Sequence, residues 1–254
     1  MKNNYLLKIL NILTFIIVII VNTLASTLPL NGMDTGQISD MIPSLFTPAG
    51  YVFSIWGIIY LTLLGFSVYQ ALPAQKDNPR LQRIGPWFLI SNLFNGAWIF
   101  AWHYLQFGLS LLIMLGLLGS LLMVYTRAGI GVHKAANWKE KLFLDIPFGI
   151  YLGWIAVATI ANVSTVLLMI DWNGFGIAPE IWTIVVLLVG TALAVAMAFL
   201  RKEIAYPLVA VWAFIGIYNA RPEVISVAIT ALIGAVIAFL GIVASRLTGL
   251  KKKA

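Results

Sequence analysis

Cysteine is missing from this chain, which excludes disulfide frameworks, thiolate metal sites, haem attachment through C-x-x-C-H and cysteine nucleophiles. Charge is nearly as scarce: Asp, Glu, Lys and Arg make up 10% of the 254 residues against 61% hydrophobic ones, and a soluble domain of this size has no interior able to hide that much apolar surface. No nucleophile and base pair, no histidine or carboxylate cluster and no phosphate loop stands out, so the chain does not read as an enzyme and no obligatory cofactor or metal is expected. The net charge of +7 invites a nucleic-acid reading. That reading needs basic residues gathered on one solvated face with interleaved aromatics, whereas here they sit between apolar runs, so no nucleic-acid partner is expected.

What the chain has in abundance is apolar runs of membrane-crossing length. Only helices or closed barrels satisfy their backbone inside hydrocarbon, and a helix needs roughly 20 apolar residues to cross it. The runs predict an all-α polytopic bundle of about eight spans, near residues 7–30, 50–72, 86–106, 108–127, 142–170, 179–200, 204–219 and 223–246. Four of them begin at a proline (Pro48, Pro86, Pro179 and Pro222), a residue that suits a first helical turn because its missing N–H has no partner there anyway. The third and fourth runs meet at Gln106-Phe107-Gly108, which predicts a tight antiparallel hairpin. The first run, after Lys2 and Lys8, also has the outline of a signal peptide, but its apolar stretch is long for one.

Cytoplasmic loops of membrane proteins carry an excess of Lys and Arg. If eight spans alternate, every basic residue except Arg221 falls on one side, which predicts a multi-pass cell-membrane protein with both termini cytoplasmic. Lys251, Lys252 and Lys253 then rest on anionic headgroups, each contributing about 1 kcal/mol.

Aromatic and amide side chains recur at helical spacing, which stacks them on single faces. Trp56 and Tyr60 are four apart on the second span. Asn95, Trp98 and Trp102 follow i, i+3, i+7 on the third, with Asn92 one turn earlier, and Trp154, Ala158 and Asn162 follow i, i+4, i+8 on the fifth. Faces that converge would line a pocket with flat walls for stacking and a few amides for orientation, suited to a planar hydrophobic small molecule. The plainer reading is that the indoles are interfacial and the asparagines bridge helices. Trp87, Trp138, Trp172 and Trp182 lie near span ends and read as interfacial anchors.

The stretch Thr47-Pro-Ala-Gly-Tyr-Val-Phe-Ser-Ile-Trp56-Gly-Ile-Ile-Tyr60 resembles the T-P-P-G-W-V-F-x-x-W-x-x-L-Y signature of the TspO/MBR, or translocator protein, family of tryptophan-rich sensory proteins. Asn95-Gly-Ala-Trp98 resembles its N-x-x-W segment, and Trp154 to Asn162 its W-x-x-x-A-T-x-x-N segment. The resemblance implies a five-helix core over residues 1–170, with a cavity capped by the loop of residues 31–49 and a tetrapyrrole (porphyrin) or sterol-like ligand. Carried over by position, Trp56, Tyr60, Asn95, Trp98, Trp154 and Asn162 line that cavity, and Trp102 joins them by spacing. Ala49 and Tyr51 depart from the signature, Pro147 stands about a turn early, and residues 171–254 add three helices to the expected five.

Other candidates have structural explanations. His103 reads as an interfacial histidine rather than an axial ligand, and Asp145 as a helix-start acid near Lys139 and Lys141. Gly149 and Gly153 permit close helix approach, within the chain or in a homodimer. Arg221 reads as a partner of Glu223 or of lipid phosphate. The function expected is binding of a planar hydrophobic ligand for sensing or translocation; the alternative is a secondary transporter whose three extra helices complete a path.

Overall fold

The computed structural model describes residues 2–28, 30–42 and 44–251, with side chains from residue 5 to residue 248. Lys252 and Lys253 therefore lie outside the described residues, as do the side chains of Lys2 and Lys251. The described residues form helices and turns with no strand: α1 Lys2–Thr27, α2 Thr35–Asp40, α3 Ile55–Ala71, α4 Pro79–Ile84, α5 Trp87–His103, α6 Phe107–Arg127, α7 Trp138–Glu140, α8 Ile146–Met169, α9 Pro179–Leu200, α10 Ala205–Ala220 and α11 Ile225–Lys251. Six segments are long and apolar enough to cross a membrane, among them Trp138–Met169, in which α7 continues into α8. The remaining long helices, α5 and α10, are shorter, at 17 and 16 residues. The outer surfaces of the long helices are apolar: Leu61 on α3, Leu112 on α6 and Ile225 on α11 are each about two-thirds exposed, as the flank of a bundle bathed in lipid must be.

The proline boundaries hold in part. Pro179 opens α9, and Pro86 caps α5. Pro48 instead precedes a 3₁₀ turn, Gly50–Ser54, that leads into α3, and Pro222 lies in a turn ahead of α11. Pro147 has a different effect. Its ring clashes with the carbonyl four residues back, and the helix widens to a π turn over Lys141–Asp145 just before it. The hairpin between α5 and α6 closes through Leu105 in the left-handed region (φ 57°).

The Gly149 and Gly153 pair packs inside the chain, against α10. A Cβ on Gly149 would stand 3.0 Å from the Ala205 Cβ and the Glu203 carboxylate, and one on Gly153 would stand 3.1 Å from the Val209 Cβ. The boundary drawn near residue 170 falls at the turn between α8 and α9; α10 packs back onto α8, and α9 and α11 pack on α10 and on each other.

Basic loops converge at one end of the bundle. Lys8 Nζ donates to the Gln75 carbonyl, Arg80 Nε to that of Ala128, and Arg246 to that of Lys202. Arg80 is buried and pairs with both Glu140 (3.2 Å) and Asp145, so Asp145 is held by a distant arginine rather than by the nearby lysines. Glu203, also buried, accepts from the backbone N–H groups of Ala205 (3.1 Å) and Tyr206 (2.7 Å) and so caps α10. Burial pushes its carboxyl above the ordinary carboxylate range, against the pull of those N–H donors.

Candidate functional site

Helical spacing delivers the indoles to one place. Trp56 on α3 stacks on Tyr60 (5.4 Å between centroids, 18° between planes) and lies 6.5 Å from Trp98 and 6.3 Å from Trp154, the latter edge-on. Trp98 stacks on Trp102 at 5.4 Å. Trp98, Trp102 and Trp154 are all buried. The rings thus face inward from α3, α5 and α8.

Five of the seven residues singled out (Trp56, Trp98, Trp102, Trp154 and Asn162) line a common cavity. Tyr60 and Asn95 stand outside that wall. Asn95 Oδ1 accepts from Asn22 Nδ2 (3.0 Å) and Tyr60 Oη (3.5 Å), and Asn95 Nδ2 donates to Tyr151 Oη (2.8 Å). This knot ties α1, α3, α5 and α8 together. Asn162 accepts from Trp98 Nε1 (3.2 Å) and donates to Ser110 Oγ (3.0 Å). Both amides are therefore committed to protein partners. Asn92 is too, donating to Thr14 Oγ1 (3.1 Å) on α1.

One fully buried donor in the wall lacks a partner. Trp154 is 2% exposed, and its Nε1 has no hydrogen-bond partner. A buried N–H without an acceptor costs about 1–3 kcal/mol, and an acceptor brought in from outside would recover that. The cavity itself is about 30 Å³, room for roughly one water, because the rings fill the space between the helices. A planar macrocycle requires this small chamber to widen.

The lid over the chamber is fastened at both ends. Asp34 begins α2 with a capping box, its carboxylate accepting from Gln37 N and the Gln37 side chain accepting from Asp34 N. His103, fully buried rather than interfacial, holds the front edge. The Leu30 carbonyl can only accept, so His103 Nδ1 (3.2 Å) carries the proton, and Nε2 faces the Thr35 hydroxyl at 3.1 Å. With both ring nitrogens engaged, His103 has none to offer a metal. Asn31 Nδ2 donates to the His103 carbonyl (3.0 Å), and Trp102 Nε1 to that of Thr35 (3.3 Å).

The other end is clamped by α10. Ala49 N donates to the Gly216 carbonyl (3.1 Å), Trp212 Nε1 to that of Val52 (3.1 Å), and Asn219 Nδ2 to Tyr51 Oη (2.9 Å). Arg221 donates to the carbonyls of Ser44 (2.7 Å) and Ala220 (2.9 Å), so its role is to hold the lid and not to pair with Glu223. Pro48 and Phe53, in this clamped stretch, are themselves chamber walls.

Spacing did not reveal Phe53, which sits edge-on to Trp154 at 5.7 Å. Tyr151 was detectable, since it lies one turn before Trp154 on the same face. Ser110 carries no sequence signal, because only the tertiary fold sets it opposite Asn162. Among the described residues, no three His, Cys, Asp or Glu side chains gather to hold a metal ion.

A family model described as TSPO-like protein matches residues 8–244, running through the three C-terminal helices as well as the first five. No curated protein and no solved structure matches the chain.

Proposed function

Because the chain belongs to the TSPO-like protein family, we propose that this integral membrane protein binds a planar hydrophobic molecule, a tetrapyrrole or sterol-like compound, in the indole-walled chamber, for sensing or translocation. The observation that carries the reading is the unpartnered Trp154 N–H in a wall that also holds the rings of Phe53, Trp56, Trp98 and Trp102. A hydrogen-bond acceptor on the rim of a flat apolar ligand satisfies that donor while its faces stack on Trp56 and Trp98. A 30 Å³ space is too small for such a molecule, and admission requires the lid to release its contacts to His103 and α10. Both termini lie in the cytoplasm and the lid faces outward on the positive-inside reading, so the ligand arrives from the outer leaflet. No reaction is assigned to the site.

Tryptophan fluorescence of the detergent-purified chain, titrated with a porphyrin, tests this. Saturable quenching is expected. Trp154→Phe, which keeps a ring and removes the N–H, weakens binding by about three- to tenfold, the worth of one hydrogen bond. Trp56→Ala removes a wall and weakens it at least as much. Absence of saturation, or wild-type affinity in both variants, refutes the proposal.

A further inference from the structure

A second, larger cavity of about 490 Å³ lies toward the outer end of α8, beside the lid and at the turn into α9. That volume lies within the usual range for small-molecule sites. Its walls include Trp172, Asn173, Glu180, Trp182 and Thr183 from the C-terminal segment and Ser164 from α8. The two indoles are held in place. Trp172 and Trp182 lie 5.4 Å apart at 50°, Trp182 Nε1 donates to the Gly174 carbonyl (3.0 Å), and Asn173 Oδ1 accepts from Phe175 N (3.0 Å) across a turn in which Asp171 and Phe175 both take positive φ. Interfacial anchors need only reach headgroups; these rings are braced against each other, and Trp182 also against the backbone.

The charge of the lining is one-sided: Glu180 is its one ionisable side chain, although Asn173 and Trp172 also bring N–H donors to the wall. The Ser164 hydroxyl donates to the Ile160 carbonyl (3.0 Å), the Thr183 hydroxyl to that of Pro179 (2.9 Å), and the Trp182 N–H to Gly174. With those protons spent, the two hydroxyls present lone pairs, and Glu180 adds a carboxylate. Neither ion pair among the described residues involves Glu180, and the cavity lining holds no Lys, Arg or His. Arg221 comes nearest, through the Ser44 carbonyl, but does not line the cavity; it donates to Ser44 and Ala220, and its Nε has no partner. An acid in the first turn of α9 also complements the helix dipole. That role, however, asks nothing of the paired indoles or the spent donors.

Indole faces, hydroxyl lone pairs and one carboxylate together attract a cation and repel an anion. We infer that this outer cavity binds an organic ammonium group carried on an apolar body, its charge between Glu180 and the faces of Trp172 and Trp182. The site is distinct from the inner chamber, and the segment after residue 170 supplies most of its recognition. Its occupant is either a soluble amphiphilic amine or the ammonium headgroup of a membrane lipid, which offer the same chemistry.

Calorimetric titration of the full chain in maltoside detergent with phenylpropyltrimethylammonium tests the inference, with phenylbutyrate as an anion of similar size. Saturable binding of the cation and none of the anion is expected. Glu180→Gln and Trp172→Leu each weaken the cation by about tenfold, within the span of measured cation–π and ion-pair contributions. Trp138→Phe, at the far end of the bundle, binds as wild type does. Melting curves identify any variant that fails to fold, and Trp172→Phe then replaces Trp172→Leu, with a smaller loss because Phe keeps an aromatic face. Added short-chain phosphatidylcholine that competes identifies a lipid headgroup as occupant; absence of competition identifies a soluble amine. No saturable binding, equal affinity for phenylbutyrate, or wild-type affinity in both Glu180→Gln and Trp172→Leu overturns the inference.

Discussion

Replacing Gly216 with alanine tests whether α10 clamps the lid. In an exposed helix, glycine to alanine stabilises by about 1 kcal/mol. At position 216 the new Cβ would stand 2.2 Å from Val52 Cγ2 and 3.1 Å from Pro48 Cβ, where ordinary carbon contacts are about 3.5–4.0 Å. Val52 is fully buried and β-branched, so rotation gives little relief, and the Pro48–Val52 stretch must move off α10 by about 1–1.5 Å. Overpacking of that kind costs about 1–3 kcal/mol. The shift also strains the Ala49–Gly216 and Trp212–Val52 hydrogen bonds, each 3.1 Å long and worth about 0.5–1.5 kcal/mol net. Set against the helical gain, the net loss is about 1–4 kcal/mol, or a melting temperature lower by about 3–12 °C for a chain of this size. Gly57 is the control: a Cβ there meets nothing within 4 Å, so Gly57→Ala should hold or raise the melting temperature. Thermal unfolding of the detergent-purified proteins, followed by tryptophan emission, decides the matter. A Gly216→Ala protein that melts with or above Gly57→Ala refutes the clamp.

Two further outcomes concern the basic end of the bundle. Arg80→Met leaves the Glu140 and Asp145 carboxylates buried without a counter-charge and should cost about 3–5 kcal/mol, read as a fall in melting temperature, while the triple variant with Glu140→Gln and Asp145→Asn recovers most of it. Equal loss in both variants would assign the effect to packing. Glu203 holds its proton to higher pH in the folded chain than in the unfolded one, because burial raises its pKa. The folded state therefore binds more protons in that interval, and the contribution of Glu203 to stability falls as pH climbs from the ordinary carboxylate value through the raised one. The difference in melting temperature between wild type and Glu203→Gln, scanned from pH 4 to 8, should shift against wild type as pH rises; a difference independent of pH rules this out.

How much of this was legible beforehand depends on the range over which each interaction acts. Hydrophobic run length marked the positions of all eight long helices, because the membrane imposes its thickness on each span separately. Helical spacing found Trp56, Trp98, Trp102 and Trp154, since residues three or four apart must share a face. Proline placement was read correctly at Pro179, where only local backbone geometry matters. It failed at Pro222, where the chain spends two more residues turning before α11 begins. The parts that could not be read were partnerships. His103 looks like an interfacial residue until Leu30 and Thr35 are seen against its ring. Asp145 stands beside lysines in the chain and beside Arg80 in space.

By itself the sequence determined the membrane environment, the order of the helices and which indoles share a helix face, because composition and periodicity act through local backbone geometry and the solvent. Tertiary structure alone decided that Asn95 and Asn162 are spent on neighbouring helices, that Trp154 keeps a free N–H, that α10 clasps the lid, and that Trp172 and Trp182 frame a second cavity. Each of those depends on which groups, distant in the chain, are left facing one another once the helices pack, and side-chain spacing carries no record of that pairing.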